Sequence, residues 1–263
     1  LNTAQKVKDF ARSLPANAKM IKQLSLNNVE QLMGYDDKSH FGYLRKVVQH
    51  YEVLLAGSHL TDTSYEHLNR IVQDRMVLAV LSKTVKDFER DVHPWAHLVA
   101  NLDVNPTRDE LVNTAKQAGL FKDLETLFES AFVQIMSLRY STQSHQEILR
   151  YILARASKVF QEKIDSIETS MKVYMRTSAK SGESLGFDLD HIFPQSRSQF
   201  EKFVKPSNWG ELSEDAKESL ESKFVHSLGN LTLLHPKDNR DQSDSLPSEA
   251  RKIDNYLHSE LYI

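Results

Sequence analysis

Cysteine is absent from all 263 residues of this chain, so neither a disulfide nor a thiolate zinc site can form. Long apolar runs are missing as well, because no stretch approaches the roughly 18 consecutive apolar residues of a membrane helix. The first residues, Leu1-Asn2-Thr3, lack both an initiator Met and the layout of a signal peptide. These absences are compatible with a cytoplasmic protein without a membrane partner, and the first residues suggest that a further segment lies upstream.

The charge balance leaves open whether the chain meets nucleic acid. The formal net charge is −3 at pH 7, whereas proteins that bind DNA usually present a basic surface. A local basic face is compatible with an acidic total, so the net charge neither supports nor excludes DNA as a partner. Hydrophobic residues make up 40% and charged residues 26%, which is typical of a folded globular chain.

Most of residues 1–176 have the sequence pattern of helices. In one segment, apolar residues recur at the three- and four-residue spacing of a helix with one buried face: Leu68, Ile71, Val72, Met76, Ala79 and Val80. The same periodicity predicts a helix from about Glu125 to Leu138. We interpret this region as a connector or as a DNA- or partner-binding part of the protein.

Two capping boxes mark helix starts within the helical region. Thr107 is followed three residues later by Glu110, and Gly119 is placed to end the helix that they begin. Ser144 and Glu147 repeat the pattern, which predicts that another helix starts at Ser144.

The character of the sequence changes at residues 177–186, which are small, polar and glycine-containing. This segment predicts a domain boundary, with a helical region over residues 1–176 and a second domain over residues 177–263. Beyond it, short strands are predicted at residues 187–193 and 230–234. An exposed, charge-rich helix is expected between them, and a further helix that carries Asn239 follows the second strand.

Asp190, His191, Asn230 and Asn239 form the constellation with chemical content. Adjacent strand residues point to opposite faces, so Asp190 and His191 can serve one site only where the strand ends or twists. A strand pair with a helix behind it can bring all four residues together. Phosphodiester hydrolysis needs a divalent cation at the phosphate and a neutral histidine that deprotonates water. Aspartate and asparagine oxygens suit Mg²⁺ or Mn²⁺.

At these residues the sequence resembles a known family. It resembles the HNH nuclease domain at the C-terminus of GmrSD-type modification-dependent restriction enzymes, and the phosphorothioation-dependent defence nucleases of the SspE kind look similar. The resemblance covers about residues 145–263. Its most specific segments are Asp190-His191-Ile192-Phe193-Pro194-Gln195, Leu228-Gly229-Asn230-Leu231-Thr232-Leu233-Leu234, and Asn239.

The resemblance implies a ββα-metal fold and a role for each of the four residues. Asp190 looks like the metal-binding acid, where many relatives carry Glu, and His191 looks like the general base. Asn230 looks like the residue that holds the loop and the base in register, without touching metal. Asn239 looks like the second metal ligand, in place of His. The metal would be Mg²⁺ or Mn²⁺.

The resemblance also implies partners for the chain. The substrate would be DNA, from phage or carrying a modification. Longer members of the family carry a nucleotide-hydrolysing module; the Walker pattern is absent from this sequence, so such a module would lie upstream of Leu1.

Five residues near these motifs need an interpretation of their own. Asp188 shares a strand face with Asp190 and could be an extra ligand, although a salt bridge or loop contact is the simpler interpretation. His235 and Arg240 could contact a phosphate of the DNA, or they could be solvated surface residues. We interpret His226 as structural or exposed, and Trp209 as an anchor for the insertion between the strands.

We therefore expect an α+β chain in which a mostly helical N-terminal region precedes a ββα-metal nuclease domain. The expected activity is metal-dependent cleavage of foreign or phage DNA, as a nick or a double-strand cut. Two alternatives remain: a catalytically inactive DNA-binding module of the same fold, and a helical subunit that recruits a partner. An intact set of Asp190, His191 and Asn239 favours the enzyme, because a binding module has no need of it.

Overall fold

The computed structural model describes most of the chain between His50 and Leu234. The described residues are 50–164, 171–175, 187–193, 195–196, 198, 201 and 208–234. None of the helices in these ranges has the length and apolar character needed to span a lipid bilayer.

The described residues are mostly helical, with one small sheet. The helices are α1 (His50–Ala56), α2 (Asp62–Leu81), α3 (Val85–Val99), α4 (Arg108–Gln117), α5 (Leu124–Ser137), α6 (Gln143–Ile164), α7 (Met171–Met175) and α8 (Glu214–Val225). The strands are β1 (Asp188–His191) and β2 (Leu231–Leu234), and short 3-10 turns occupy Trp209–Glu211 and Leu228–Asn230. This content agrees with the expected α+β class.

The chain forms two compact units, residues 1–132 and 133–263. The division lies within α5. The domain boundary predicted at 176/177 falls on residues outside the described ranges and stays a prediction.

The first unit buries its core among α1 to α4. The helical period predicted around Leu68 is that of α2, whose apolar face is buried. Trp95 of α3 is fully buried, and its indole N–H donates to the hydroxyl of Thr114 on α4 at 3.1 Å. A buried indole needs such a partner, so this hydrogen bond fixes α4 against α3.

The first predicted capping box is present at the start of α4. The Thr107 side chain accepts from the Glu110 N–H, and the Glu110 carboxylate accepts from the Thr107 N–H at 2.7 Å. Beyond the end of the helix, Gly119 has a φ of 93°, a left-handed conformation that glycine adopts without strain. The sequence thus predicted both ends of α4 correctly.

The next two helices begin one residue earlier than predicted. The helix expected from Glu125 to Leu138 is α5, Leu124–Ser137. The helix expected from Ser144 begins at Gln143, so Ser144 lies within the first turn and is not its cap. The Arg139 N–H donates to His145 Nδ1 at 3.1 Å, and this contact orders the turn that leads into the helix.

The two strands lie in the second unit and pair in antiparallel fashion. β1 is shorter than its predicted range of 187–193, because the main chain of Phe193 bonds to the Asn230 side chain instead of extending the ladder. Asn230 was predicted on the second strand but lies in the preceding 3-10 turn. The charge-rich helix between the strands is α8, with Ser213 as its N-cap.

Candidate active site

Asp190 and His191 are the last two residues of β1. The register pairs Asp190 with Thr232 and His191 with Leu231. Both side chains are buried, at 6% and 5% exposure, so other parts of the chain cover both faces of the strand at this end. β1 ends at His191, which is the condition under which adjacent strand residues can serve one site.

Asn230 bonds to the main chain just beyond β1. Its side-chain oxygen accepts from the Phe193 N–H at 2.7 Å, and its amide nitrogen donates to the Phe193 carbonyl at 3.1 Å. The same nitrogen donates to the Val225 carbonyl at 2.9 Å. The backbone carbonyl of Asn230 accepts from the Ile192 N–H at 2.9 Å. This one residue therefore joins the exit of β1, the end of α8 and the start of β2.

Two aromatic rings lie beside the imidazole of His191. The Tyr140 ring meets it edge-on, with centroids 4.6 Å apart and planes at 85°. The His226 ring lies 5.7 Å away with its plane at 80°. Tyr140 and His226 are themselves nearly parallel, at 18° and 6.3 Å. The imidazole of the candidate base therefore stands nearly perpendicular to two rings that are nearly parallel to each other.

Arg150 of α6 holds the start of β1. Its guanidinium donates to the backbone carbonyl of Phe187, the residue that precedes the strand. Burial lowers the pKa of Arg150, and the negative charge of Asp188 opposes that shift. Asp188 therefore provides a favourable charge for this buried cation.

Trp209, the expected anchor of the insertion between the strands, is buried among residues of that insertion. Trp209 is buried at 7% exposure and packs with Val225 and the half-buried Leu212. The ammonium of Lys217 lies 6.0 Å from the centre of the indole ring. These contacts join the 3-10 turn at Trp209 to α8 within the insertion, and the end of α8 bonds to Asn230.

Several predicted site residues lie outside the described residues. Asn239, the expected second metal ligand, is one of them, and so are His235 and Arg240. Within the described ranges, no group of three or more acidic or histidine side chains forms a ready metal site. Of the four residues of the constellation, the structure brings three to one end of the strand pair: Asp190, His191 and Asn230.

Sequence reasoning missed two neighbours of the site and left the setting of a third open. Tyr140 lies in the connection between α5 and α6, and no motif distinguished it. Arg150 lies within the segment of resemblance, but no motif distinguished it either. His226 was interpreted as structural or exposed, and it is half-buried against Tyr140 and His191. The sequence signal for its place near the site is its position directly after an apolar helix end and four residues before Asn230.

Burial and charge explain the state of His226. Its pKa is lowered by burial and, to a smaller extent, by the positive charge of Arg139. Its ring is therefore neutral near pH 7.

Comparison with known proteins identifies a family for this part of the chain. Residues 128–263 match the family described as GmrSD restriction endonucleases, C-terminal domain. No curated protein and no solved structure matches the chain. The matched segment is just over half of the chain, and it contains Asp190, His191, Asn230 and the rings around them. The chain therefore belongs to the GmrSD restriction endonuclease family, through the C-terminal domain of that family.

Proposed function

We propose that this protein is an HNH-type DNA endonuclease that restricts foreign or phage DNA by divalent-metal-dependent hydrolysis. Membership in a family of restriction endonucleases indicates a nuclease whose substrate is DNA. The HNH mechanism, the ββα-metal fold and the roles of individual residues are the proposed part. A nick and a double-strand cut are both compatible with it.

The observation that carries the proposal is the set of hydrogen bonds made by Asn230. Its side chain is held by main-chain partners: the amide nitrogen donates to the Phe193 and Val225 carbonyls, and the oxygen accepts from the Phe193 N–H. An amide held by three such bonds acts as a brace for the main chain. This matches the role expected of the middle residue of an HNH motif, because it fixes the backbone directly after His191.

His191 would act as the general base. A neutral imidazole can accept a proton from the attacking water, provided that water lies within hydrogen-bond reach of a ring nitrogen. Its position at the strand end, with the following residues tied down by Asn230, fixes the backbone that carries the ring. Such positioning can lower the barrier of the reaction, because little freedom remains to be lost on the way to the transition state.

The oxygen donors near the strand end fit a hard divalent cation. Asp190 supplies a buried carboxylate at the end of β1, and Asn239 would add an amide oxygen. The absence of cysteine from the sequence leaves no thiolate ligand that would favour a softer metal. When bound, Mg²⁺ or Mn²⁺ would neutralise charge on the scissile phosphate and stabilise the leaving oxygen.

Further parts of the proposal rest on the resemblance. His235 and Arg240 are candidate contacts to the DNA backbone, and Arg240 has the donors to hold a phosphate. A nucleotide-hydrolysing module encoded upstream and a cytoplasmic location complete the expected setting of a restriction enzyme.

Plasmid cleavage tests the proposal directly. Supercoiled plasmid and phage DNA are incubated with the wild-type chain in Mg²⁺, in Mn²⁺ and in EDTA. We expect nicked or linear product only with metal, and a loss of about 10²–10⁴-fold in His191→Ala, the range for removal of a general base. His97→Ala is the matched control, because His97 is an exposed histidine of the other compact unit. It should cleave like the wild type.

Two other results would contradict the proposal. Equal cleavage by His191→Ala and the wild type would remove His191 from the role of base. DNA binding in a gel-shift assay without cleavage in either metal would favour the inactive DNA-binding module.

A further inference from the structure

The geometry points to Tyr140 and His226 as positioning residues for His191: their rings hold its imidazole in the rotamer that serves catalysis. This inference rests on the proposed function, because it assigns His191 the role of base. Neither Tyr140 nor His226 needs to touch DNA or metal in this role. Both act through the ring that lies between them and the reacting water.

The first argument is that His191 needs such support. Its backbone is fixed by the pairing with Leu231 and by the bond from the Ile192 N–H to the Asn230 carbonyl, but these bonds do not set the orientation of its ring. The rotamer of its side chain decides which ring nitrogen faces the reacting water and in which direction. A base that is misplaced by about 1 Å can cost on the order of 100-fold in rate.

The second argument is the arrangement of the three rings. Tyr140 and His226 are nearly parallel, and the imidazole of His191 stands almost perpendicular to both, at 85° and 80°. Edge-to-face contact is a preferred geometry for aromatic pairs. A rotation of His191 to another rotamer would give up both contacts at once, so the two rings select one orientation.

The third argument is that Tyr140 is itself fixed in place. Its N–H donates to the His226 carbonyl at 2.9 Å, and its own carbonyl accepts from the Gln146 side chain at 2.9 Å. Before it, the Arg139 guanidinium donates to the carbonyls of Met136 and Leu138. Tyr140 is thus placed by bonds to its main chain, which leaves its ring available for packing.

His226 is fixed in a comparable way. It caps the end of α8, and its N–H donates to the Ser222 carbonyl at 3.3 Å. The preceding residue, Val225, is bound by the Asn230 side chain. Because its ring is neutral near pH 7, it adds no positive charge beside His191. His226 of the ring pair thus directly follows Val225, the residue that the Asn230 side chain binds.

The test uses the full chain and two readouts, of which one does not depend on activity. With ¹³C-labelled histidine, the ring protons of His191 should show ring-current shifts, and their resonances are assigned by their loss in His191→Ala. Tyr140→Leu removes a ring, whereas Tyr140→Phe keeps it. We expect the shifts to collapse in Tyr140→Leu and to persist in Tyr140→Phe. His226→Leu, which removes the other ring, should also change them.

The second readout is the cleavage rate at saturating DNA. We expect a fall of about 10–100-fold in Tyr140→Leu with little change in the affinity for DNA, and a rate within about twofold of wild type in Tyr140→Phe. Tyr151→Leu is the matched control for loss of stability, because Tyr151 is a fully buried tyrosine of the same compact unit. At temperatures where both variants are folded, the control should keep its rate.

The outcomes separate this inference from the proposed function. Cleavage at the wild-type rate by Tyr140→Leu, with the His191 shifts lost, would overturn the positioning role and leave the nuclease intact. Equal losses in Tyr140→Phe and Tyr140→Leu would also overturn it, because the hydroxyl and not the ring would then matter. No cleavage by the wild type in either metal would overturn the proposed function, and the positioning role with it.

Discussion

Asn230 bonds to both polar groups of the Phe193 main chain, accepting from its N–H at 2.7 Å and donating to its carbonyl at 3.1 Å. Asn230 is 2% exposed, so water cannot replace these bonds if the side chain changes. The pair connects the exit of one strand to the entry of the other, and the stability of the second compact unit should depend on it.

Asn230→Asp tests this dependence with almost no change in shape. The substitution replaces the amide donor with an oxygen that faces the carbonyls of Phe193 and Val225. We expect a loss of about 2–4 kcal/mol in the free energy of unfolding, measured in urea. Asn208→Asp is the control, because Asn208 is exposed and makes no side-chain cap bond, and it should unfold like the wild type. Similar losses in both variants would refute the role of the brace.

Arg150→Met should destabilise the entry to β1. The change keeps much of the aliphatic packing of the side chain but removes the donor to the Phe187 carbonyl, and it leaves Asp188 without that nearby positive charge. We expect a cost of about 1–3 kcal/mol in unfolding free energy. Arg108→Met, at an exposed position, provides the comparison. If the two variants unfold at the same urea concentration, the bond to Phe187 contributes nothing measurable.

Gly119→Ala should cost about 1–2 kcal/mol in unfolding free energy, because alanine at a φ of 93° brings its Cβ close to the neighbouring carbonyl oxygen. Thermal or urea unfolding of the purified chain measures this loss of stability. Gly210→Ala is the matched substitution at a glycine where an added Cβ meets no atom within 4 Å. It should lie within about 0.5 kcal/mol of wild type. A neutral Gly119→Ala would show that the turn after α4 can rearrange.

The capping box at the start of α4 should stabilise the chain in a pH-dependent way. Hydrogen bonds from the Thr107 backbone and side chain lower the pKa of Glu110 below its usual 4.5. Because the folded pKa is the lower one, the contribution is complete above the unfolded pKa and is lost as pH falls through the folded value. The difference in Tm between wild type and Glu110→Ala should therefore be largest near neutral pH and shrink in acid.

The same pH series with Glu129→Ala gives the comparison for the capping box. Glu129 is an exposed glutamate within α5, away from a helix start. If its Tm difference shrinks in acid by the same amount, the capping box is not the cause of the effect at Glu110.

Local signals in the sequence predicted the secondary structure well. The capping box of α4 depends on residues three positions apart, and the periodicity of α2 depends on a single buried face. Both strands were located because their composition and flanking residues differ from those of the helices. Their ends shifted by one or two residues, since Asn230 and Phe193 bond to each other across the strands, and no local pattern encodes that pairing.

The environment of His191 was less accessible to sequence reasoning. Asp190, His191 and Asn230 lie in recognisable motifs, whereas Tyr140 comes from a helix connection that is distant in the chain. Ring packing of this kind is decided by tertiary structure and leaves no spacing rule behind. The contacts of His226 with both of the other rings were for the same reason not predictable from the sequence.

The sheet that carries Asp190 and His191 consists of two strands of four residues each. A lone strand pair of this size is only marginally stable in water. The two strands therefore depend on α6, α8 and the connection that holds Tyr140 for their order. Anyone who transplants this centre into another scaffold must move those supports along with the strands. The smallest portable piece is accordingly much longer than the motif that identifies it, and it begins well upstream, before Tyr140.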